Sequence, residues 1–325
     1  MNLSSKFTCI KAILKAKISN KRIPLLVSWE ITKRCNARCK YCNIWNDASG
    51  ELDTKQVFSI IEELIRMGTR VIHFTGGEPL LREDIGVILD YCHKKKISTS
   101  INSNGLLVPL KINEIKRLHL LGISLDGPEE IHDRIRGRGS YAGAIAAIAA
   151  ARDKGIKLRL LTVLSRVNLD SVDFILSKAA EFNAPVIFQP ATDCLLGGEA
   201  KNPIASDPAR YKQVIKELIL KRRKTRYIAN SISGLKFLHL WPKMKKIRCL
   251  ALLISCRIQS DGRVYICYRN KIRAENKNEQ RPLVKDAFLQ LPFVYCDNCC
   301  CASSIEINCL LSLKLDTILN SLNFI

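Results

Sequence analysis

Strand-like and helix-like segments alternate along the first two-thirds of the chain, and this alternation restricts the fold more than any other feature. Leu25–Ile31 is a short apolar run suited to a buried strand. Thr54–Met67 places Val57, Ile60, Ile61, Leu64 and Ile65 at helical spacing and is closed by Gly68. Further strands are expected at Arg70–Thr75, Ile97–Asn102, Leu121–Leu125, Ile156–Leu164 and Pro185–Pro190. Helices are expected at Ile85–Lys95, Leu110–His119, Tyr141–Lys154, Ser171–Phe182 and Pro208–Arg222. Six βα units in succession follow from this reading. Parallel strands need crossover helices, and right-handed crossovers generate a barrel or a doubly wound sheet. Six units fall short of the eight that close a TIM barrel. The expected fold is therefore α/β, a partial (β/α)6 TIM-like barrel. From about Ile232 the alternation stops and cysteines accumulate, which predicts a small Cys-rich C-terminal extension over 232–325 after a core over 25–231.

Fourteen cysteines in 325 residues need an explanation. The first residues contain no apolar run approaching a secretory h-region, and no stretch offers about 18 consecutive apolar residues for a membrane span. A cytoplasmic address is expected, where structural disulfides are rare. Metal or redox chemistry then accounts better for the thiols. They fall into two groups. Cys35, Cys39 and Cys42 lie near the start, and Cys249, Cys256, Cys267, Cys296, Cys299, Cys300, Cys301 and Cys309 crowd the last quarter. Cys9, Cys92 and Cys194 stand apart and read as small buried thiols. Two groups predict two sites.

The first group reads C-x3-C-x2-C immediately after the first strand, Cys35-Asn36-Ala37-Arg38-Cys39-Lys40-Tyr41-Cys42. Three thiolates on one tight loop can hold three irons of a [4Fe–4S] cluster. No fourth cysteine lies nearby, which leaves one iron open to a non-protein ligand. A structural zinc site would want four ligands, and no further His or Cys is close enough to serve.

With the segments that follow, this loop resembles the radical S-adenosylmethionine (radical SAM) superfamily. Gly76-Gly77-Glu78-Pro79 follows the second strand, and Ser103-Asn104-Gly105 follows the third. Ser124-Leu125-Asp126-Gly127-Pro128, then His132-Asp133 and Arg136-Gly137, resembles a stretch of its large peptide- and cofactor-modifying branch. The resemblance spans about residues 25–220 and continues more weakly to about 310. It implies that the open iron chelates the amino and carboxylate groups of S-adenosylmethionine (SAM). Reductive cleavage then gives a 5′-deoxyadenosyl radical that takes hydrogen from a substrate, with a one-electron donor such as flavodoxin or ferredoxin as partner. The cofactor would carry the chemistry while the protein positions and shields it.

Gly76 and Gly77 let backbone approach a ligand closely, and the resemblance places this turn, Gly76 to Pro79 with Glu78, at the methionine amino group. It assigns Ser124 and Asp126 to the ribose or the methionine carboxylate, and it adds Tyr41, Asn104 and Arg136 to the cofactor-binding set. A turn before Pro128 or an ordinary Asn-Gly turn would explain some of these residues without a ligand.

The resemblance extends to the second cysteine group. Cys249-x17-Cys267, with Gly262 five residues before the latter, then Cys296-x2-Cys299, is similar to the SPASM or shorter twitch extension that houses auxiliary [4Fe–4S] clusters. Ser260–Val264 suits a hairpin turn between Arg257–Gln259 and Val264–Cys267. One auxiliary cluster on Cys249, Cys267, Cys296 and Cys299 is expected. Cys256 and Cys309 are additional candidates, Cys300 and Cys301 are unplaced, and Ile305 stands where a full SPASM domain would carry cysteine. Two cysteine pairs also suit tetrahedral zinc.

Charge supplies the competing readings. Lys and Arg number 52 against 30 Asp and Glu, a net charge of +22, which suggests an anionic partner. Residues 1–24 carry six Lys/Arg and no acid, and Leu3, Phe7, Ile10, Leu14 and Ile18 would form one helical face. Such a segment can lie on an anionic membrane surface, which would suit a lipid substrate, or pack on the barrel with a solvated basic face. Lys221–Lys224 is a second basic run. A zinc-bearing nucleic-acid module is the contrasting class, but aromatics are only 6% and none interleave the basic runs as a stacking platform. The favoured reading is a radical SAM enzyme of peptide maturation or cofactor biosynthesis, with substrate and general base unnamed.

Overall fold

The computed structural model describes residues 13–324, apart from 15, 48–49, 244–245, 268–282 and 298. Six parallel strands run in chain order across one sheet: β1 (Leu26–Thr32), β2 (Val71–Gly76), β3 (Ser98–Ser103), β4 (Leu120–Ser124), β5 (Leu158–Leu164) and β6 (Val186–Pro190). Helices cross between them: α1 (Thr54–Arg66), α2 (Ile85–Lys94), the one-turn α3 (Val108–Lys111), α4 (Glu129–Arg136), α5 (Ser140–Asp153) and α6 (Val172–Glu181), with α7 (Pro208–Arg222) after β6. The expected partial barrel is present, with β6 at one edge of the described sheet.

The other edge is built by the C-terminal part. After α8 (Ile232–Leu238) and the short β7 (Ile247–Arg248), β8 (Ser255–Ile258) pairs parallel to β1, and β9 (Val264–Tyr265) pairs antiparallel to β8. The predicted hairpin therefore exists, with Gly262 at φ +83° in its turn, and it adds two strands to the barrel sheet. Helix α9 (Val284–Gln290), strand β10 (Tyr295–Cys296, paired with β7), α10 (Ala302–Leu311) and α11 (Leu315–Phe324) complete the described chain.

Strand alternation separates two environments. In β5 every second residue, from Leu158 to Leu164, is buried against the helices, while Leu161 and Val163 face inward. In β2, Ile72 and Phe74 are buried outward and His73 and Thr75 face inward. The outward layer, with Trp29, Phe74, Phe188, Ile60 and Leu64 fully buried, carries the stability, since each such side chain contributes about 1.5–3 kcal/mol. The inward face is more polar, lined by Ser28, His73, Thr75, Asn102, Gln189 and Arg257.

Two helices depart from expectation. Of the expected Leu110–His119 only Leu110 and Lys111 are helical, at the end of α3. Beyond it Ile112, Ile115 and Leu118 are buried at a spacing of three, which tight turns satisfy as well as a 3.6-residue helix does. Conversely, α4 was not foreseen as a helix, although Glu129 and Glu130 in its first turn and Arg134 and Arg136 in its last complement the helix dipole. At the N-terminus, Leu3, Phe7 and Ile10 lie outside the described residues. Of the same expected face, Leu14 and Ile18 are 46% and 84% exposed, whereas Ile13 and Ala16 pack against Leu25, Leu253, Ile254 and Leu311. Among the described residues no helix is long and apolar enough to cross a membrane. The Lys221–Lys224 run is partly spent: Lys221 pairs with Asp173, and Arg222 donates to the Asn230 carbonyl and to Asn320.

The turn after β2 fits with no spare volume. A Cβ on Gly76 would stand 2.0 Å from the Thr32 carbonyl oxygen, and one on Gly77 2.1 Å from that of Arg34. Gly77→Ala is therefore expected to destabilise the fold by about 1–3 kcal/mol or more, read as a lower urea midpoint at unchanged m value. Gly50→Ala, where a Cβ meets nothing within 4 Å, is expected to leave the midpoint unchanged.

Candidate active site

A cavity of about 320 Å³ opens at the C-terminal ends of the parallel strands, the place where ligands bind in such sheets. Cys35, Cys39 and Cys42 all line it, on the loop that leaves β1. That loop is held by backbone. Gly77 N–H donates to the Thr32 carbonyl at 2.9 Å, and Glu78 N–H to that of Arg34 at 2.8 Å. Side chains brace it further: Arg34 pairs with Glu51 at 2.8 Å, Lys33 with Asp47, and the buried Arg82 donates to the Ile31 and Leu52 carbonyls. Gly76 and Gly77 line the cavity. What excludes a side chain at either position is the backbone of residues 32–34.

Glu78 does not line the cavity, nor does Pro79. The Glu78 carboxylate is fully buried and accepts from Leu80 N–H (3.2 Å), Ser103 Oγ (3.0 Å) and Asn104 N–H (2.8 Å). Burial pushes this carboxyl up to about 7 against those three donors. Its place is that of a clamp between the β2 and β3 turns. Through it Asn104 is set at the cavity wall, with its amide donating to Asn36 of the cysteine loop at 2.8 Å.

Asp126 is placed in the same way. Its carboxylate is fully buried outside the cavity lining and is spent on three groups. Oδ2 accepts from Arg136 Nε at 2.6 Å and from Tyr41 OH at 3.3 Å, and Oδ1 accepts from Val163 N–H at 2.9 Å. Ser124, Tyr41 and Arg136 do line the cavity. Arg136 also donates Nη1 to Cys39 Sγ at 3.8 Å, so a guanidinium held by Asp126 stands against one of the three thiols. His132 completes this corner. Its Nδ1 accepts from Asp126 N–H at 3.1 Å, and burial, then the Arg136 charge, pull it down to about 4, which keeps the ring neutral.

The second cysteine group opens into the same cavity. Cys249, Cys267, Cys296 and Cys299 line it. Cys256 and Cys309 do not; they are 1% and 5% exposed inside the hydrophobic core. Strand alternation accounts for Cys256: Arg257 of β8 faces the cavity, so its neighbour faces the helices. Cys300 and Cys301, unplaced from sequence, line the cavity instead. Arg257 Nη2 donates to Cys301 Sγ at 3.2 Å. Burial would raise Cys301, but the Arg257 charge and the Ser303 and Ser304 contacts bring it down to about 7. Arg257 has no motif to mark it; its only sequence signal is a charge inside a short strand. Between the two ends Ser28 sits opposite both Arg257 and His73, and His73 Nδ1 meets Ser100 Oγ at 2.8 Å.

The donor set fits cubane clusters better than a single ion. Among the described residues no three His, Cys, Asp or Glu converge closely enough for one metal ion, whereas a cubane spreads its thiolates over separate corners. Burial raises Cys35 and Cys39 and pushes Cys42 up to about 12, so a metal bound at this loop would displace protons.

Residues 29–179 match the family model of the Radical SAM superfamily. The chain carries a radical SAM domain. Members of this superfamily use a [4Fe–4S] cluster and SAM. Fe-coproporphyrin III synthase of Methanosarcina barkeri is 30% identical over 178 residues, 53% of this chain and 44% of that protein. Mycofactocin maturase MftC of Mycobacterium tuberculosis is 28% identical over 259 residues, 75% of this chain and 64% of that protein. The chain thus spans between about two-fifths and two-thirds of the length of these curated relatives. In fold it is similar to anSMEcpe solved with bound AdoMet and Cp18Cys peptide, at TM-score 0.64 and 20% identity over 82% of this chain and 80% of that one.

The Asp126–Arg136 pair of the radical SAM domain is testable directly. Asp126→Asn leaves a buried guanidinium unpaired and is expected to cost about 3–5 kcal/mol of stability. In the Asp126→Asn/Arg136→Gln double variant part of that loss should return, giving a coupling of about 1–3 kcal/mol in a double-mutant cycle. Additive losses would mean that the two side chains act separately.

Proposed function

We propose that this protein is a radical SAM enzyme that reductively cleaves SAM and abstracts hydrogen from a substrate held between two iron–sulfur sites, in peptide maturation or cofactor biosynthesis. The observation that carries the reading is the single cavity, with Cys35, Cys39 and Cys42 at one end and Cys249, Cys267, Cys296 and Cys299 at the other. When bound, the first cluster supplies the electron that breaks the SAM carbon–sulfur bond. The chain's own residues do the rest. Cys35, Cys39 and Cys42 hold three irons and leave the fourth for SAM. Carbonyls of the Gly76–Gly77 turn, Asn104, Ser124, Tyr41 and Arg136 surround SAM, while Glu78 and Asp126 hold those groups in place from behind.

A substrate lies on the inner strand face, against Ser28, His73, Asn102 and Gln189. His73 serves there as a neutral hydrogen-bonding group, since burial and the Arg159 and Arg257 charges pull it down to about 4. The apolar side chains Leu161 and Val163 help exclude water from the reacting carbon. The domain division is a core over 25–231 and a twitch-like extension over 232–325, whose β8–β9 hairpin shares the barrel sheet. One auxiliary [4Fe–4S] cluster in the extension relays electrons, and a flavodoxin or ferredoxin supplies them. A peptide substrate is favoured by the named activity of MftC and by the peptide in the anSMEcpe complex.

Anaerobically purified protein should then contain roughly eight irons with matching sulfide, as two cubanes require. With SAM and dithionite it should release 5′-deoxyadenosine and methionine. Cys39→Ala is expected to abolish that release while roughly four irons remain. Release that persists in this variant would sink the ligand assignment, and zinc in place of iron would sink the enzyme.

The exposed Leu14 and Ile18 within the basic N-terminal segment favour a peripheral membrane location, with a lipid substrate as the second reading. The protein should co-sediment with phosphatidylglycerol vesicles and release at high salt; Leu14→Ser/Ile18→Ser should weaken this several-fold. No sedimentation, or none lost in the variant, would remove the membrane reading.

A further inference from the structure

Six cysteines of the C-terminal part line the cavity, two more than a cubane needs. Cys300 is one of the six but sits in the hydrophobic core, 9% exposed. That leaves five candidates for four corners: Cys249, Cys267, Cys296, Cys299 and Cys301. Thiolates that carry iron–sulfur clusters characteristically accept hydrogen bonds, which partly neutralise the charge they bring and tune the metal.

Judged by that chemistry Cys301 is the best furnished. Arg257, a buried cation reaching in from β8, donates Nη2 to its sulfur at 3.2 Å and braces itself on Ser304 Oγ at 3.0 Å. Ser303 Oγ lies 3.2 Å from the same sulfur. Cys301 is also the residue from which α10 starts, so its position is fixed by a ten-residue helix rather than by a loose loop. The same helix furnishes Cys249: Asn308 donates Nδ2 to the Cys249 sulfur at 3.9 Å and accepts from Leu250 N–H at 2.7 Å. Helix α10 thereby ties two cavity thiols from distant parts of the sequence to one rigid element. By contrast Cys92, Cys256 and Cys309 are packed among apolar side chains outside the cavity lining.

We propose that Cys301 is an iron ligand of the auxiliary cluster, with Arg257 as the positioning residue behind its sulfur. One of Cys249, Cys267, Cys296 and Cys299 is then spared from coordination. This assignment rests on the auxiliary-cluster reading, and the test separates the two. A Cys35→Ala/Cys39→Ala/Cys42→Ala background isolates the C-terminal site. After anaerobic reconstitution it should hold roughly four irons and give a [4Fe–4S] EPR signal on dithionite reduction.

Adding Cys301→Ser should lower the iron at least two-fold or shift the g values, whereas adding Cys300→Ser should change neither. Unchanged iron and EPR in the Cys301→Ser variant would overturn the ligand assignment and leave the auxiliary cluster standing. No iron in the background would overturn both. Thiol labelling of the unsubstituted protein gives an answer that does not depend on the variant's folding: Cys301 should resist iodoacetamide in the loaded protein and become labelled after iron is chelated. Labelling in the loaded protein would overturn the proposal. Arg257→Gln should retain the iron but move the auxiliary midpoint potential to a more negative value, and an unchanged midpoint would remove Arg257 from the role.

Discussion

The backbone of residues 32–34 lies against the Gly76–Gly77 turn with no room for a side-chain atom, and the geometry of the cavity follows from this contact. Two N–H···O=C bonds, from Gly77 to Thr32 and from Glu78 to Arg34, tie the turn after β2 to the end of β1 and to the start of the loop that bears the three thiols. A loop closed only by side chains would leave Cys35, Cys39 and Cys42 free to rearrange. Here two backbone hydrogen bonds hold the segment between the end of β1 and the first cysteine. Because the clearance is set by backbone atoms, it cannot be relieved by a change of rotamer.

Two carboxylates then convert that backbone frame into a site. Glu78 and Asp126 stand where the chain turns out of β2 and just past β4, and both are fully buried. Glu78 joins the turn after β2 to the turn after β3. Asp126 joins the segment after β4 to β5, to α4 through Arg136 and to the cysteine loop through Tyr41. Each acceptor oxygen is occupied from within the protein, which is what makes a buried carboxylate tolerable. The groups presented to the cavity are consequently the neighbours of these acids: Asn104 and Ser124 on the strand ends, and Arg136 on α4. Both charges sit one layer behind the surface they organise.

Much of this was legible in the sequence. The parallel strands and their order follow from hydrophobic period and from the need for crossovers, and the first cysteine loop is marked by spacing alone. Less legible were features decided by partners far along the chain. Cys256 matched a spacing, yet the alternation of β8 turns it toward the helices and turns Arg257 toward the cavity; no local pattern states which way a four-residue strand faces. Cys301 had no place in any spacing because its significance comes from Arg257, 44 residues away. The expected helix from Leu110 failed because a run of Ile112, Ile115 and Leu118 fits a period of three as well as one of 3.6. The attachment of β8 to β1 was equally hidden, since a hairpin signal does not name the edge it will join.

The most direct measurement is on the first loop's open corner. Electron–nuclear double resonance can be recorded on the reduced protein with SAM carrying ¹⁷O in its carboxylate or ¹⁵N in its amino group, in a variant lacking the C-terminal cluster. Three protein thiols and one vacant iron predict a resolved hyperfine coupling to both labels. A cluster signal without coupling to either would mean that protein fills every corner, and the function argued from Cys35, Cys39 and Cys42 would be contradicted.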